Sequence, residues 1–210
     1  AVAGDFRPAT SSLDALADGL PADLSSTPKI LVELTAGQGT VVGHSLEQLA
    51  TIRERAACRE RIAFCLDTCH AFAAGYELGT VAGAEEFLAG IERHLGFGLV
   101  ACLHVNDSEG ERGSRKDRHA NIGSGKIGLD GLKRLLGEPR LAAAPAILET
   151  PISDDEQGHA RDLAHPAERI VDQRAEDPRA LHRRGAVSAA RTRAARGHRR
   201  ADGFQQQQTR

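Results

Sequence analysis

Four short apolar runs each end on a residue able to ligate a metal: KILVE at Glu33, RIAFCLD at Asp67, LVACLH at His104 and AILE at Glu149. Each run leads into a loop containing Gly or Asp and then a helical stretch, the βα rhythm of a parallel sheet covered on both faces. Parallel strands bring their C-terminal ends to one edge, so residues 34, 37 and 45 positions apart converge there. The following loops add His70, in Asp67-Thr68-Cys69-His70, and the pair Asp117 and His119. Glu33, Asp67, His70, His104, Asp117, His119 and Glu149 together mix carboxylate with imidazole. Such a set suits zinc, manganese or iron, whereas calcium and magnesium sites are oxygen-only and structural zinc usually recruits thiolates. One His or Asp at a strand end is usually a cap or a satisfied polar contact. Several carboxylates at one sheet edge repel one another, and a cation is the simplest thing that stabilises them. A centre of two or three such ions can bind a phosphodiester, lower the pKa of a bridging water and neutralise a leaving oxygen.

The elements that must position these groups follow from the apolar spacing. Ser11 to Leu16 offers a cap and apolar periodicity for a first helix, stopped near Pro21 or Pro28. Further helices are expected from Ser45 to about Cys58, from Gly83 to Leu95 and from Leu129 to Leu136, with Phe87, Leu88, Ile91 and Leu95 facing the sheet. Another is expected from about Asp154 to just past Leu163. The stretch Gly123 to Gly128 lacks the lysine pattern of a phosphate loop and reads as a tight turn that positions His119.

A chain of 210 residues with 3% aromatics must build its core from Leu, Ile, Val and Ala. Cys58, Cys65, Cys69 and Cys102 form no CxxC pair and no secreted framework, so reduced thiols and a cytoplasmic location are expected. Thiol ligation by Cys69 is the sharper alternative to simple burial. No run approaches the roughly 20 apolar residues that cross a bilayer. Residues 1–160 hold 15 Lys and Arg against 23 acids, and residues 161–210 hold 12 Arg against 6 acids. Lys126, Arg112, Arg115 and Arg118 are candidates for contacts to a nucleic-acid backbone. The Arg-, Ala- and Gln-rich segment 173–210 lacks apolar periodicity and reads as a disordered tail, either a basic nucleic-acid-binding arm or unselected sequence.

Five ordered blocks carry a family resemblance: Glu33 to Thr40, Cys65 to Leu78, His104 to Ser108, Asp117 to His119, and Leu148 to Pro151. They resemble the signature blocks of the endonuclease IV family of apurinic/apyrimidinic endonucleases, over about residues 11 to 164. The resemblance implies an α/β fold of TIM-barrel type and hydrolysis, with three zinc ions, of the phosphodiester 5′ to an abasic site in double-stranded DNA. Glu33 would bridge two ions, with Asp67, His104 and Glu149 completing the shell of the second ion and His70, Asp117 and His119 holding the third ion. Glu33 and Glu149 would serve catalysis through the ions and by hydrogen bonding to the attacking water. Manganese is another ion such donors accept.

The chain also departs from that pattern. The family carries four βα units before the one starting near Lys29, and they supply two further histidines to the first ion. Residues 1–172 are therefore expected to form an incomplete barrel, its C-terminal four βα units, holding two ions or fewer. The absence of Met and the start Ala1-Val2-Ala3-Gly4 read as a fragment. A half barrel has two open edges and is expected to self-associate or to need a partner, although the full-length family is expected to be monomeric. Leu34 stands where the family has Asn, which removes a polar group beside the ligands. Two other readings stay open: a noncatalytic remnant binding metal or DNA, and a sugar isomerase or epimerase on a related barrel, which would not need the Asp117 and His119 pair.

Overall fold

The computed structural model describes residues 4–20, 28–151 and 162. The chain divides into two units, Ala1–Ile170 and Val171–Arg210, and every described residue lies in the first. The expected tail at 173–210 lies outside the described residues, as does the helix expected after Asp154 apart from the helical Asp162.

Three of the expected strands form over nearly their full length: β1 (Ile30–Glu33), β2 (Ile62–Asp67) and β3 (Val100–His104). Their order in the sheet is β1-β2-β3 with the short β6 (Ala146–Ile147) beside β3, and every pairing is parallel. Ile62, Phe64 and Leu66 of β2 point to the helices with no more than 2% of their surface exposed, the pattern of a central strand covered by a helical layer. The edge strands depart from the expectation of cover on both faces. Leu31 in β1 and Ile147 in β6 are more than two-fifths exposed. β6 is also shorter than its apolar run. Val105 N–H still donates to the Ile147 carbonyl at 2.8 Å, but the next rung is lost because Glu149 N–H donates to the Asn106 side chain instead.

Helix α1 (Arg7–Gly19) begins ahead of Ser11, because Pro8 suits a first turn and the Ser12 hydroxyl donates back to the Pro8 carbonyl rather than capping. Helices α2 (Leu46–Arg55), α3 (Thr68–Ala74), α4 (Val81–His94) and α5 (Asp130–Leu136) follow the strands. The Ser45 hydroxyl caps α2 by accepting from Gln48 N–H, and Thr80 caps α4 through Gly83 N–H. Phe87, Leu88, Ile91 and Leu95 pack into the core with Leu46, Leu49 and Phe64. Helix α3 occupies a stretch read from sequence as a ligand-bearing loop. The Asp67 carboxylate, already at the strand end, accepts from His70 N–H at 2.8 Å and starts a helix that ends at Gly75, whose φ of 119° few other residues adopt.

Two short strands outside this sheet, β4 (Asp107–Ser108) and β5 (His119–Ala120), pair antiparallel, with Ser108 opposite His119. Asp107, fully buried, accepts from the backbone N–H groups of Ser108, Gly123, Gly125, Ile127 and Gly128. Its carboxylate thereby organises the glycine-rich turn, which closes so tightly that a Cβ on Gly125 would lie 2.5 Å from Asp107 Oδ1. The expected tight turn is built around one aspartate.

Candidate metal centre

Glu33, Asp67 and His104 stand at the C-terminal ends of β1, β2 and β3, and Glu149 follows β6 two residues on. One donor atom from each of these four lies within 4.8 Å of the others. His104 Nδ1 sits 3.0 Å from Glu149 Oε2, 3.5 Å from Glu33 Oε1 and 3.9 Å from Asp67 Oδ2. His70 in α3, Asp117 in the loop and His119 in β5 form a second group of the same tightness. Asp117 Oδ1 lies 3.3 Å from both His70 Nε2 and His119 Nε2. The groups adjoin: His70 Nδ1 is 3.0 Å from Glu33 Oε1, and His119 Nε2 is 3.7 Å from Asp67 Oδ2.

These donors fit divalent cations. His70 Nε2, His104 Nδ1 and His119 Nε2 are buried and make no hydrogen bond, although carboxylate oxygens stand 3.0 to 3.3 Å away. Two ligand atoms bound at about 2.0–2.1 Å on a tetrahedral ion are about 3.4 Å apart, close to the separations found. The opposite ring nitrogens are committed elsewhere. His70 Nδ1 donates to the Leu34 carbonyl at 3.0 Å and His119 Nδ1 to the Glu149 carbonyl at 3.1 Å, which fixes the tautomer that leaves Nε2 free for a metal. Leu34 thus orients His70 through its main chain, while its side chain is buried in the core.

Electrostatics follow from the crowding. Hydrogen bonding to His70 is the main force holding the Glu33 carboxyl below its usual pKa, against burial. Burial alone would lower His70, but the Glu33 hydrogen bond and the charges of Asp67, Asp117 and Glu33 outweigh it and hold the ring at about 9. Asp67, with no exposed surface, is pushed upward by burial. The donors grade from this buried floor to an open rim, where the Asp117 and Glu149 side chains are 47% and 43% exposed.

Sequence reading left one positioning residue without a role. Asn106, fully buried, donates from Nδ2 to Asp67 Oδ2 at 2.7 Å and accepts Glu149 N–H at Oδ1. Its main chain is closed by Thr68, whose Oγ1 accepts Asn106 N–H and donates to the Asn106 carbonyl. The signal was an Asn two residues past His104, where the apolar run of β3 gives way to the polar loop. Cys69 lies within reach of Asp67 and His119, yet its thiol donates to the Arg118 carbonyl at 3.4 Å and burial raises its pKa. Of the four candidate cations, Arg112 pairs with Glu77 at 2.6 Å and Lys126 with Glu111 at 3.2 Å. Arg118 donates to the Asp117 carbonyl, and Arg115 takes a positive φ of 54°.

Comparison with known proteins agrees with this geometry. A family model described as "Xylose isomerase-like TIM barrel" matches residues 8–173. "Probable endonuclease 4" of Chloroflexus aurantiacus is 43% identical over 142 residues, which cover 68% of this chain and 50% of that protein. The protein of the same name in Geobacter sulfurreducens is 45% identical over 138 residues, covering 66% and 47%. The crystal structure of endonuclease IV from Thermus thermophilus superposes with a TM-score of 0.68 at 38% identity, over 80% of this chain and 59% of that one. The chain spans about half the length of the curated relatives it matches. With parallel βα units and ligand-type residues at their C-terminal ends, the chain belongs to the xylose isomerase-like TIM barrel family, among the endonuclease IV proteins.

Proposed function

We propose that this chain is the zinc-binding part of a DNA repair hydrolase, an endonuclease that cleaves the phosphodiester 5′ to abasic sites in double-stranded DNA. The observation that carries this reading is the convergence of seven side chains as two adjoining donor sets at one rim, with three imidazole nitrogens left unpaired. Glu33, Asp67, His104 and Glu149 would hold one ion, and His70, Asp117 and His119 another. Bound there, zinc or manganese would supply Lewis acidity toward a phosphate oxygen and bring the pKa of water toward neutrality.

The chain's own residues do the rest. Asp67 anchors the floor, held by Asn106, and its Oδ2 lies within 4 Å of both His104 Nδ1 and His119 Nε2, so it adjoins both donor sets. Glu33 and Glu149 present half-exposed carboxylates that accept a hydrogen bond from the attacking water and orient it, the catalytic role assigned to them here. Asp117 is half exposed, where a phosphate would approach, and the loop cations Arg112, Arg115, Arg118 and Lys126 would contact the DNA backbone, Arg112 and Lys126 exchanging their Glu77 and Glu111 partners for phosphate. Two donor sets support a content of two ions or fewer in this chain. We assign residues 1–172 to the partial barrel and 173–210 to a separate tail. No helix among the described residues is long and apolar enough to cross a membrane, and a cytoplasmic protein is the reading adopted. The full-length family is read as monomeric, and this chain as prone to self-association through its edge strands.

A second reading, a noncatalytic remnant that binds metal or DNA, is favoured by one fact: the chain spans only about half of its curated relatives. Incubation with a duplex carrying one abasic site separates the two. Nicking that is lost with chelator and regained with zinc supports the endonuclease. Zinc bound at fixed stoichiometry without nicking supports the remnant.

A further inference from the structure

Beneath the carboxylate and imidazole rim lies a second donor set of a different chemistry. Cys65 and Cys102 are directly paired across the parallel strands β2 and β3, as are Asp67 and His104 two residues on. Strand alternation therefore puts both thiols on the face that carries the ligands, one layer below them. Both are reduced and buried, 3% and 4% exposed. One donor atom from each of Cys65, Cys102 and His104 lies within 4.8 Å of the other two.

We propose that Cys65, Cys102 and His104 form a separate cation site, selective for thiophilic ions, that shares His104 with the Glu33, Asp67 and Glu149 set. Thiolate sulfur prefers soft cations such as Cu⁺ and Cd²⁺, whereas the oxygen-rich set above it prefers harder ones. With metal–sulfur bonds of about 2.3 Å, two sulfurs on one tetrahedral ion stand about 3.8 Å apart, so small rotamer changes of paired residues are enough. Binding is an exchange without redox chemistry: a divalent ion takes two thiol sulfurs as thiolates, and the two protons pass to buffer. Withdrawing His104 leaves the upper set with carboxylates alone, so a soft ion in this site weakens the upper one.

Cadmium titration of the metal-free full chain under anaerobic conditions tests this, reading the ultraviolet charge-transfer band of cadmium–thiolate bonds. The expected result is a band that saturates at one Cd²⁺ per chain, is abolished in Cys102→Ala and Cys65→Ala, and persists in Cys58→Ala and Cys69→Ala. His104→Ala should retain the band with affinity reduced about tenfold or more. Should the cysteine variants fail to fold, ¹¹³Cd resonance of the unmodified chain decides: a signal in the sulfur-ligated range supports the site, and one confined to the oxygen and nitrogen range overturns it. No band, or a band that survives both cysteine substitutions or vanishes with Cys69 or Cys58 instead, also overturns it. DNA cleavage is not the readout, so an inactive chain tests the proposal equally well.

Discussion

The Asn106 carboxamide ties Asp67 to Glu149: Nδ2 donates to Asp67 Oδ2 at 2.7 Å while Oδ1 accepts the Glu149 main-chain N–H at 2.8 Å. One buried side chain thus sets the spacing of two donor-bearing residues 82 positions apart in sequence. It does so by replacing a rung of the parallel sheet.

Replacing Asn106 with Ala takes the amide partner from a buried carboxylate oxygen and from a part-buried N–H together. We expect a loss of about 2–3 kcal/mol in urea unfolding of the metal-free chain, and zinc affinity lower by about 10- to 100-fold. Calorimetric zinc titration is the check. Unaltered affinity in a destabilised protein would show that Asn106 supports the fold and not the ligands.

His70 gives the metal-free protein a stability that depends on pH. Its folded pKa of about 9 is raised above the usual His value of about 6.5, so the contribution is complete below pH 6.5 and is lost as pH rises toward 9. With partial screening this is on the order of 2 kcal/mol. Chemical denaturation with chelator should show the decline over that window. Zinc-loaded protein should lack it, because a metal holds the ring unprotonated, and loading at pH 7 should release about one proton from His70. Equal pH profiles with and without zinc would remove His70 from the ligands.

Asp107 tests whether the two donor sets are separable. Asp107→Ala leaves five backbone N–H groups unpaired and frees the turn that follows His119. We expect a stability loss of about 3 kcal/mol or more, with bound metal falling by one ion as the His70, Asp117 and His119 set loosens. Elemental analysis after dialysis reads this directly, and an unchanged ion count would contradict it.

Gly131, in the first turn of α5, touches the loop that precedes α4. A Cβ there would stand 1.8 Å from the Leu78 carbonyl oxygen and 3.0 Å from that of Thr80. Gly131→Ala should therefore destabilise by about 2 kcal/mol or more despite its better helix propensity. Thermal unfolding at constant metal load is the measurement. A neutral or stabilising outcome would mean that α5 sits further from that loop than described.

Much of the site was legible because its pattern is local: an apolar run, then a ligand, repeated along β1, β2 and β3. Thr68 to His70 forms the first turn of α3 where donor chemistry alone suggests a loop. An Asp at a strand end is also an excellent helix cap, and here Asp67 does both. The shortening of β6 was hidden for a different reason. Ala146 to Glu149 has the composition of a strand, but the partner of its last N–H is a side chain from β3's following loop.

Residue order alone determined the fold class and the ends of β1, β2 and β3, and it singled out the seven side chains that the fold brings to one rim, because burial periodicity and donor type are properties of short stretches. Only tertiary structure decided how those donors divide into two sets, which ring nitrogen each of His70 and His119 leaves free, and that Asn106 and Asp107 hold the frame. Those outcomes depend on hydrogen-bond angles and separations of an ångström or less between segments distant in sequence, which no local pattern encodes.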